Sequence, residues 1–133
     1  MSTVVVAYAP DEYGAAALTH GADAARRRGA RLVVVNATRG DSYVDKRYAA
    51  DDHLATLEQR LRGEGLEVSI RHDLVDDVAA AVVAAADAEG ALLIVVGVRR
   101  RTAVGKALLG SVAQRVILDA HCPVLAVKPD PAD

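Results

Sequence analysis

The chain has 133 residues, of which 52% are hydrophobic and 26% charged; this excludes a disordered chain and predicts one domain over residues 1–133. A net charge of -2 and the absence of Phe and Trp argue against a nucleic-acid partner. The single cysteine, the absence of an apolar run of about 20 residues and the lack of a basic leader predict a cytoplasmic protein with no membrane partner.

Strand-like and helix-like segments alternate along the chain. The predicted strands are apolar runs rich in β-branched residues, and the predicted helices carry apolar residues three or four positions apart. In chain order the predicted elements are strand 3–8, helix 12–28, strand 30–36, helix 45–62, strand 66–71, helix 76–88, strand 91–96, helix 111–120 and strand 123–128. This alternation predicts an α/β fold, with a five-stranded parallel sheet covered by helices on both faces.

The strand patterns also predict positions within the sheet. Strands 3–8, 30–36 and 91–96 are apolar on both faces and are expected at its centre, whereas the alternation in 66–71 indicates an edge. Ligands of such sheets bind beyond the carboxyl ends of the strands, where the strand order reverses. The segments after Tyr8, Asn36 and Val96 are therefore candidates for a site.

Residues 97–111 combine several features that favour an anion. Gly97 is expected to let the chain leave its strand sharply, and Gly110 to let a ligand approach the backbone. Ser111 begins a helix, whose first amides and dipole attract phosphate. Positive charge is concentrated on Arg99, Arg100, Arg101 and Lys106. Two other interpretations remain open: Ser111 and Gln114 fit a capping box, and the arginines fit a solvated loop.

Other chemical motifs are missing or incomplete. The sequence contains no P-loop, no G-x-G-x-x-G after the first strand and no G-x-S-x-G, and it supplies no paired acid and base. We therefore expect no enzyme activity beyond at most slow ATP hydrolysis. We interpret five further polar side chains as incidental or solvated: His20, Asp51, Asp52, His53 and His72. Cys122 is interpreted as a small buried hydrophobic residue.

The same loop resembles the fingerprint of the universal stress protein family, which is Gly, two residues, Gly, nine residues, Gly, then Ser or Thr. Gly97, position 100, Gly110 and Ser111 keep this spacing, although position 100 is Arg. Residues 112–116 and 122–128 are also typical of the family.

The resemblance implies a Rossmann-like, three-layer α/β/α fold of the adenine nucleotide alpha hydrolase type, with strand order 3-2-1-4-5. It implies ATP or AMP as ligand, with Mg as a possible companion of ATP, and a homodimer paired through the last strand. The implied nucleotide-binding residues are Ala9, Pro10, Ala37, Val96, Gly97, Arg100, Gly110, Ser111 and Val112. The implied dimer strand consists of Val124, Leu125, Ala126 and Val127.

Two positions depart from the family pattern, and two other functions stay open. Arg100 replaces a glycine, and Ala9 stands where the family usually has Asp, with Asp11 two residues later. The alternatives to a nucleotide-binding stress-response regulator are a dimeric interaction module without a nucleotide and a small enzyme of nucleotidyl chemistry.

Overall fold

The computed structural model describes residues 1–38, 51–99 and 109–130 of the chain. Five strands and four helices alternate within these ranges. They are β1 (Thr3–Ala7), α1 (Glu12–Arg28), β2 (Arg31–Thr38), α2 (Asp51–Gly63), β3 (Val68–Leu74), α3 (Val78–Glu89), β4 (Leu93–Gly97), α4 (Ser111–Asp119) and β5 (Val124–Val127).

All five strands are parallel, and their order in the sheet is β3-β2-β1-β4-β5. The predicted α/β fold and the strand order implied by the family resemblance are thus confirmed. The three strands that are apolar on both faces lie at the centre, and the half-polar strand β3 lies at an edge, because only the central strands are covered on both sides. Within the described ranges, no helix is long and apolar enough to cross a membrane.

Alternate residues of the central strands pack into two separate apolar clusters. Val4 and Val6 of β1 face α1 and α2, where they join a cluster that includes Leu57. Val5 faces α3 and α4 and joins a cluster that includes Val82. This division follows from the two-residue period of a strand, and it produces the expected three layers.

Two helices begin with a carboxylate cap, which explains where they start. Asp11 accepts a hydrogen bond from the Gly14 amide at the start of α1, and Asp77 accepts one from the Ala80 amide at the start of α3. Both of these helices end at a glycine in the left-handed region. The predicted bounds of α1 agree with the structure, whereas the predicted start of the third helix at residue 76 lies one residue before its Asp77 cap.

Other boundaries differ from the prediction. β2 extends to Thr38 and β3 to Leu74, because these ends pair with each other in the sheet. Pairing of this kind depends on a distant neighbour, and the local pattern does not reveal it. The predicted start of the second helix at residues 45–50 lies outside the described residues.

Candidate functional site

A cleft of about 190 Å³ opens at the carboxyl ends of β1 and β4. β1 and β4 are neighbours, and the chain leaves them toward opposite edges of the sheet, so the cleft lies where the strand order reverses. The described residues that line it come from three strand ends and from α1, α3 and α4: Ala7, Tyr8, Ala9, Asp11, Tyr13, Gly14, Val35, Ala37, Val78, Val82, Val96, Gly97, Arg99, Leu109, Gly110, Ser111, Val112 and Ala113.

The floor of the cleft is apolar and buried. Val35 and Ala37 come from β2, Val96 from β4, Val82 from α3 and Ala113 from α4, and each is at most 6% exposed. A flat, apolar part of a ligand could be buried against this floor. Hydrogen-bond partners for the polar groups of that ligand must come from the rim.

One wall of the cleft is built by close contact between backbones. A Cβ on Gly97 would lie 2.3 Å from the carbonyl oxygen of Tyr13, and one on Gly14 would lie 1.8 Å from the carbonyl oxygen of Ala9. The role expected for Gly97 therefore needs correction. It remains within β4 and has no positive φ; its missing side chain lets the start of α1 pack directly on the strand.

The opposite wall is the N-terminus of α4, which carries no side-chain cap. The helix is capped by Gly110, at φ 99°, and Ser111 is its first helical residue. The capping box of Ser111 with Gln114 is therefore wrong, because a capping hydroxyl must stand one residue earlier than Ser111 does.

The first amides of α4 border the cleft without a helical hydrogen-bond acceptor. Gln114 donates the first helical hydrogen bond, to the Gly110 carbonyl, so the preceding amides of Ser111, Val112 and Ala113 have no acceptor within the helix. The first turn of α4 also carries no acidic residue. Asp caps close the N-termini of α1 and α3, whereas no described side chain caps the N-terminus of α4, which opens into the cleft with the partial positive charge of the helix dipole.

Arg99 contributes a positive charge at the rim. Its guanidinium carbon lies 5.8 Å from the centre of the Tyr13 ring, within the range of a cation–π contact. The remaining charged residues of the predicted anion segment, Arg100, Arg101 and Lys106, lie outside the described residues.

Tyr8 ties the end of β1 to its neighbours. Its amide donates to the Val35 carbonyl at 2.9 Å, and its carbonyl accepts from Nδ2 of the buried Asn36 at 3.0 Å. Its phenol oxygen lies 2.6 Å from Nε2 of His53, and the two rings are stacked. Burial raises the pKa of this phenol, the Arg60 charge lowers it and the Asp11 charge raises it, so it is neutral at physiological pH.

Two histidine contacts were missed in the sequence. His53 contacts Tyr8, and Nδ1 of His72 lies 3.0 Å from the Asp51 carboxylate. Both contacts link the first turn of α2 to strands of the sheet. In the sequence, only the position of such residues near the predicted carboxyl ends of strands could have pointed to these contacts.

The structure brings most of the implied nucleotide-binding residues together. Within the cleft lining are Ala9, Ala37, Val96, Gly97, Gly110, Ser111 and Val112. Pro10 is exposed and does not belong to this lining. Arg100 lies outside the described residues. Ala9 stands where the family usually has Asp and so supplies no carboxylate. Asp11, two residues later, lines the cleft and also caps α1.

Neither the Cys122 thiol nor a metal site of described residues offers further chemistry. Burial and the nearby Asp87 raise the pKa of the Cys122 thiol, while a backbone hydrogen bond from Ile94 lowers it, and the net effect keeps the group protonated. In the described part of the chain, no group of three or more His, Cys, Asp or Glu residues could hold a metal ion.

The strand implied in dimerisation lies at the second edge of the sheet. β5 pairs with β4 on one side only, as the strand order shows. Val124 is half-buried, Ala126 is exposed, Leu125 is 40% exposed, and Val127 is buried.

The sequence model of the Universal stress protein family matches residues 1–128. A universal stress protein of Mycolicibacterium smegmatis is 45% identical over 126 residues, which cover 95% of this chain and 97% of that one. The chain therefore belongs to the universal stress protein family.

Solved structures of the same family share the fold. A universal stress protein from Archaeoglobus fulgidus superposes with a TM-score of 0.77 at 32% identity, covering 96% of this chain and 98% of that one. An A. fulgidus universal stress protein in complex with dAMP gives 0.64 at 29% identity and the same coverage. A universal stress protein in complex with cAMP gives 0.71 at 26% identity, covering 97% and 98%.

Proposed function

We propose that this protein binds an adenine nucleotide in the cleft at the ends of β1, β2 and β4, and acts as a nucleotide-responsive regulator in a stress response. The observation that carries the proposal is the N-terminus of α4, which opens without a side-chain cap into an apolar cleft. The amides of Ser111, Val112 and Ala113 would donate to a phosphate, and the helix dipole would favour its charge.

The rest of the cleft suits the nucleoside. Val35, Ala37 and Val96 form an apolar floor on which a base can lie, and the backbone at Ala37 can supply polar contacts to its edge. The family resemblance assigns the adenine contact to that backbone. The solved relatives with dAMP and cAMP support an adenine nucleotide as the ligand class.

We propose binding with at most slow turnover. Asp11 is the one carboxylate among the described lining residues, and it already accepts a hydrogen bond from the Gly14 amide as the cap of α1. No histidine and no second carboxylate among the described lining residues stands with Asp11 as an acid–base partner, so Asp11 is poorly suited to hydrolysis. The cap occupies Oδ1 of Asp11, so its other carboxylate oxygen could contact bound Mg-ATP while the α1 cap stays in place.

Calorimetric titration with AMP, cAMP and ATP, each with and without magnesium, tests the proposal. Ser111→Pro removes the first amide of α4 at a position where proline is well tolerated, and Ser111→Ala removes only the hydroxyl. We expect the proline variant to weaken the binding of nucleotides but not of adenosine. If the wild-type protein gives no heat and no thermal stabilisation with millimolar nucleotide, the proposal is wrong.

We further propose that two copies pair through β5. Leu125 and Ala126 are exposed on this edge. An edge strand with exposed apolar side chains offers unpaired backbone groups to a second copy. A dimeric interaction module that acts through this edge without a nucleotide is the second candidate function, and the titration above separates the two.

A further inference from the structure

A second hollow adjoins the candidate nucleotide cleft and shares the first turn of α4 with it. Ser111 and Val112 line both, and the second hollow is completed by the start of α3 and by Arg115. Ser111 and Arg115 are four residues apart on α4, so their side chains are neighbours on one face of the helix. The backbone of Arg115 thus lies about one helical turn from the amides that would hold a phosphate, and its side chain borders the same hollow as Ser111 and Val112.

Arg115 is engaged by carboxylates in the structure. Its Nη1 donates to Oδ2 of Asp77 at 2.7 Å, and its Nη2 lies 3.6 Å from Oδ2 of Asp119. The other oxygen of Asp77, Oδ1, accepts from the Ala80 amide and caps α3. One carboxylate therefore fixes the start of α3 and holds a positive charge beside the start of α4.

From this arrangement we propose that Arg115 is a further phosphate-binding residue and that Asp77 sets the affinity by competing for its guanidinium. The inference rests on the proposed nucleotide site. A phosphate on the α4 amides can accept from Arg115 once that side chain turns from Asp77, in a charge-assisted hydrogen bond. Both side chains of the pair are partly exposed, at 50% and 39%, so exchange of partners costs little.

Four proteins test this: the wild type, Asp77→Asn, Arg115→Gln and the double variant. Asn caps a helix as well as Asp does, so Asp77→Asn removes the competing charge and keeps the start of α3. We expect Asp77→Asn to tighten the binding of AMP about two- to fivefold and Arg115→Gln to weaken it by a similar factor, the scale of an exposed ion pair. The double variant should bind like Arg115→Gln.

A matched control and a direct readout accompany the titrations. Glu58 and Arg62 form an exposed ion pair of 3.0 Å on α2 that lines neither hollow, so Glu58→Gln and Arg62→Gln make the same charge changes elsewhere and should leave affinity unchanged. In NMR spectra, the Arg115 side-chain Nε–H signal should move on addition of inorganic phosphate to the wild type.

The remaining outcomes contradict either the Arg115 proposal or the proposed function. If Asp77→Asn tightens binding equally when Arg115 is Gln, Asp77 acts by its own charge and the proposal is wrong. It is also wrong if Arg115→Gln binds AMP like the wild type or if the Arg115 signal stays still. If inorganic phosphate binds with the expected pattern while nucleotides do not, only the proposed function fails; if neither binds, both fail.

Discussion

The phenol oxygen of Tyr8 lies 2.6 Å from Nε2 of His53, which joins the end of β1 to the first turn of α2. The backbone of Tyr8 is held by β2 at the same point. The peptide that follows β1 and lines the cleft is therefore fixed both by the sheet and by the helix that covers it. Stability of this corner and the shape of the cleft should be coupled.

Removal of the phenol should destabilise the protein modestly. Tyr8→Phe loses the hydrogen bond to His53 but keeps the buried ring, and because His53 is exposed, water can replace the lost partner. We expect the free energy of unfolding to fall by about 0.5–1.5 kcal/mol, measured by urea denaturation. With His53→Ala in place, the same substitution should cost less; equal costs in both backgrounds would show that the contact contributes nothing.

The raised pKa of Tyr8 gives this variant a pH signature. Burial favours the neutral phenol in the folded state, so stability from this group is complete below the ordinary tyrosine pKa of about 10 and is lost as pH rises beyond it. The wild type should therefore lose stability above about pH 10 more steeply than Tyr8→Phe. Parallel stability curves from pH 8 to 11 would contradict the assignment.

Ser111→Asp should raise stability and lower nucleotide affinity together. A carboxylate in the first turn of α4 compensates a dipole that no acidic residue now meets, which is worth about 0.3–1 kcal/mol. The same charge occupies the amides and repels a phosphate. Ser111→Asn is the neutral control. Urea denaturation and calorimetry with AMP measure the two effects, and tighter AMP binding by Ser111→Asp would refute a phosphate site there.

Three glycines should respond differently to alanine. Gly97→Ala places a Cβ 2.3 Å from the Tyr13 carbonyl and should cost about 1–3 kcal/mol of stability or more, because two backbones must separate. A Cβ at Gly110 has no neighbour within 4 Å among the described residues, but Gly110→Ala is strained at φ 99°, at a cost of about 1–3 kcal/mol. Gly63 ends α2 with open space and no positive φ, so Gly63→Ala should be neutral or stabilising. Urea denaturation curves of the three variants measure the loss of unfolding free energy for each.

Leu125→Lys should prevent pairing of two copies through β5. Leu125 is 40% exposed on the edge strand, so a lysine there costs the monomer little while it places two charges at the proposed interface. Light scattering after size-exclusion chromatography should show a dimer for the wild type and a monomer for the variant. Gln59→Lys, on the exposed side of α2 near the opposite edge of the sheet, serves as the control. A monomeric wild type would end the proposal.

The sequence predicts the fold well because the apolar pattern of each strand indicates which of its faces are buried. Leu32, Val33, Val34 and Val35 need cover on both faces, and this requirement alone places β2 inside a parallel sheet. Both ends of α1 follow from its capping residues, Asp11 and Gly29. The order of the strands came from the family resemblance, since alternation of elements does not fix it.

The cleft lies where the sequence predicted a site, but not all parts of its lining were predicted. The switch point and the start of α4 follow from the fold, whereas the roles of Gly97 and His53 depend on residues far away in the chain, Tyr13 and Tyr8. The capping box failed by one residue, since Gly110 rather than Ser111 precedes the first turn. Local patterns describe a residue's own segment, and contacts between segments emerge only on folding.

The backbone contacts at Gly14 and Gly97 have a consequence for engineering the ligand preference of the cleft. Positions without side chains cannot change rotamer, and any larger residue there displaces the main chain. Libraries aimed at new ligands should therefore leave this wall untouched and vary Val78, Leu109 and Val112 on the facing side, where side chains border open space. Selectivity can then be altered while the scaffold keeps its shape.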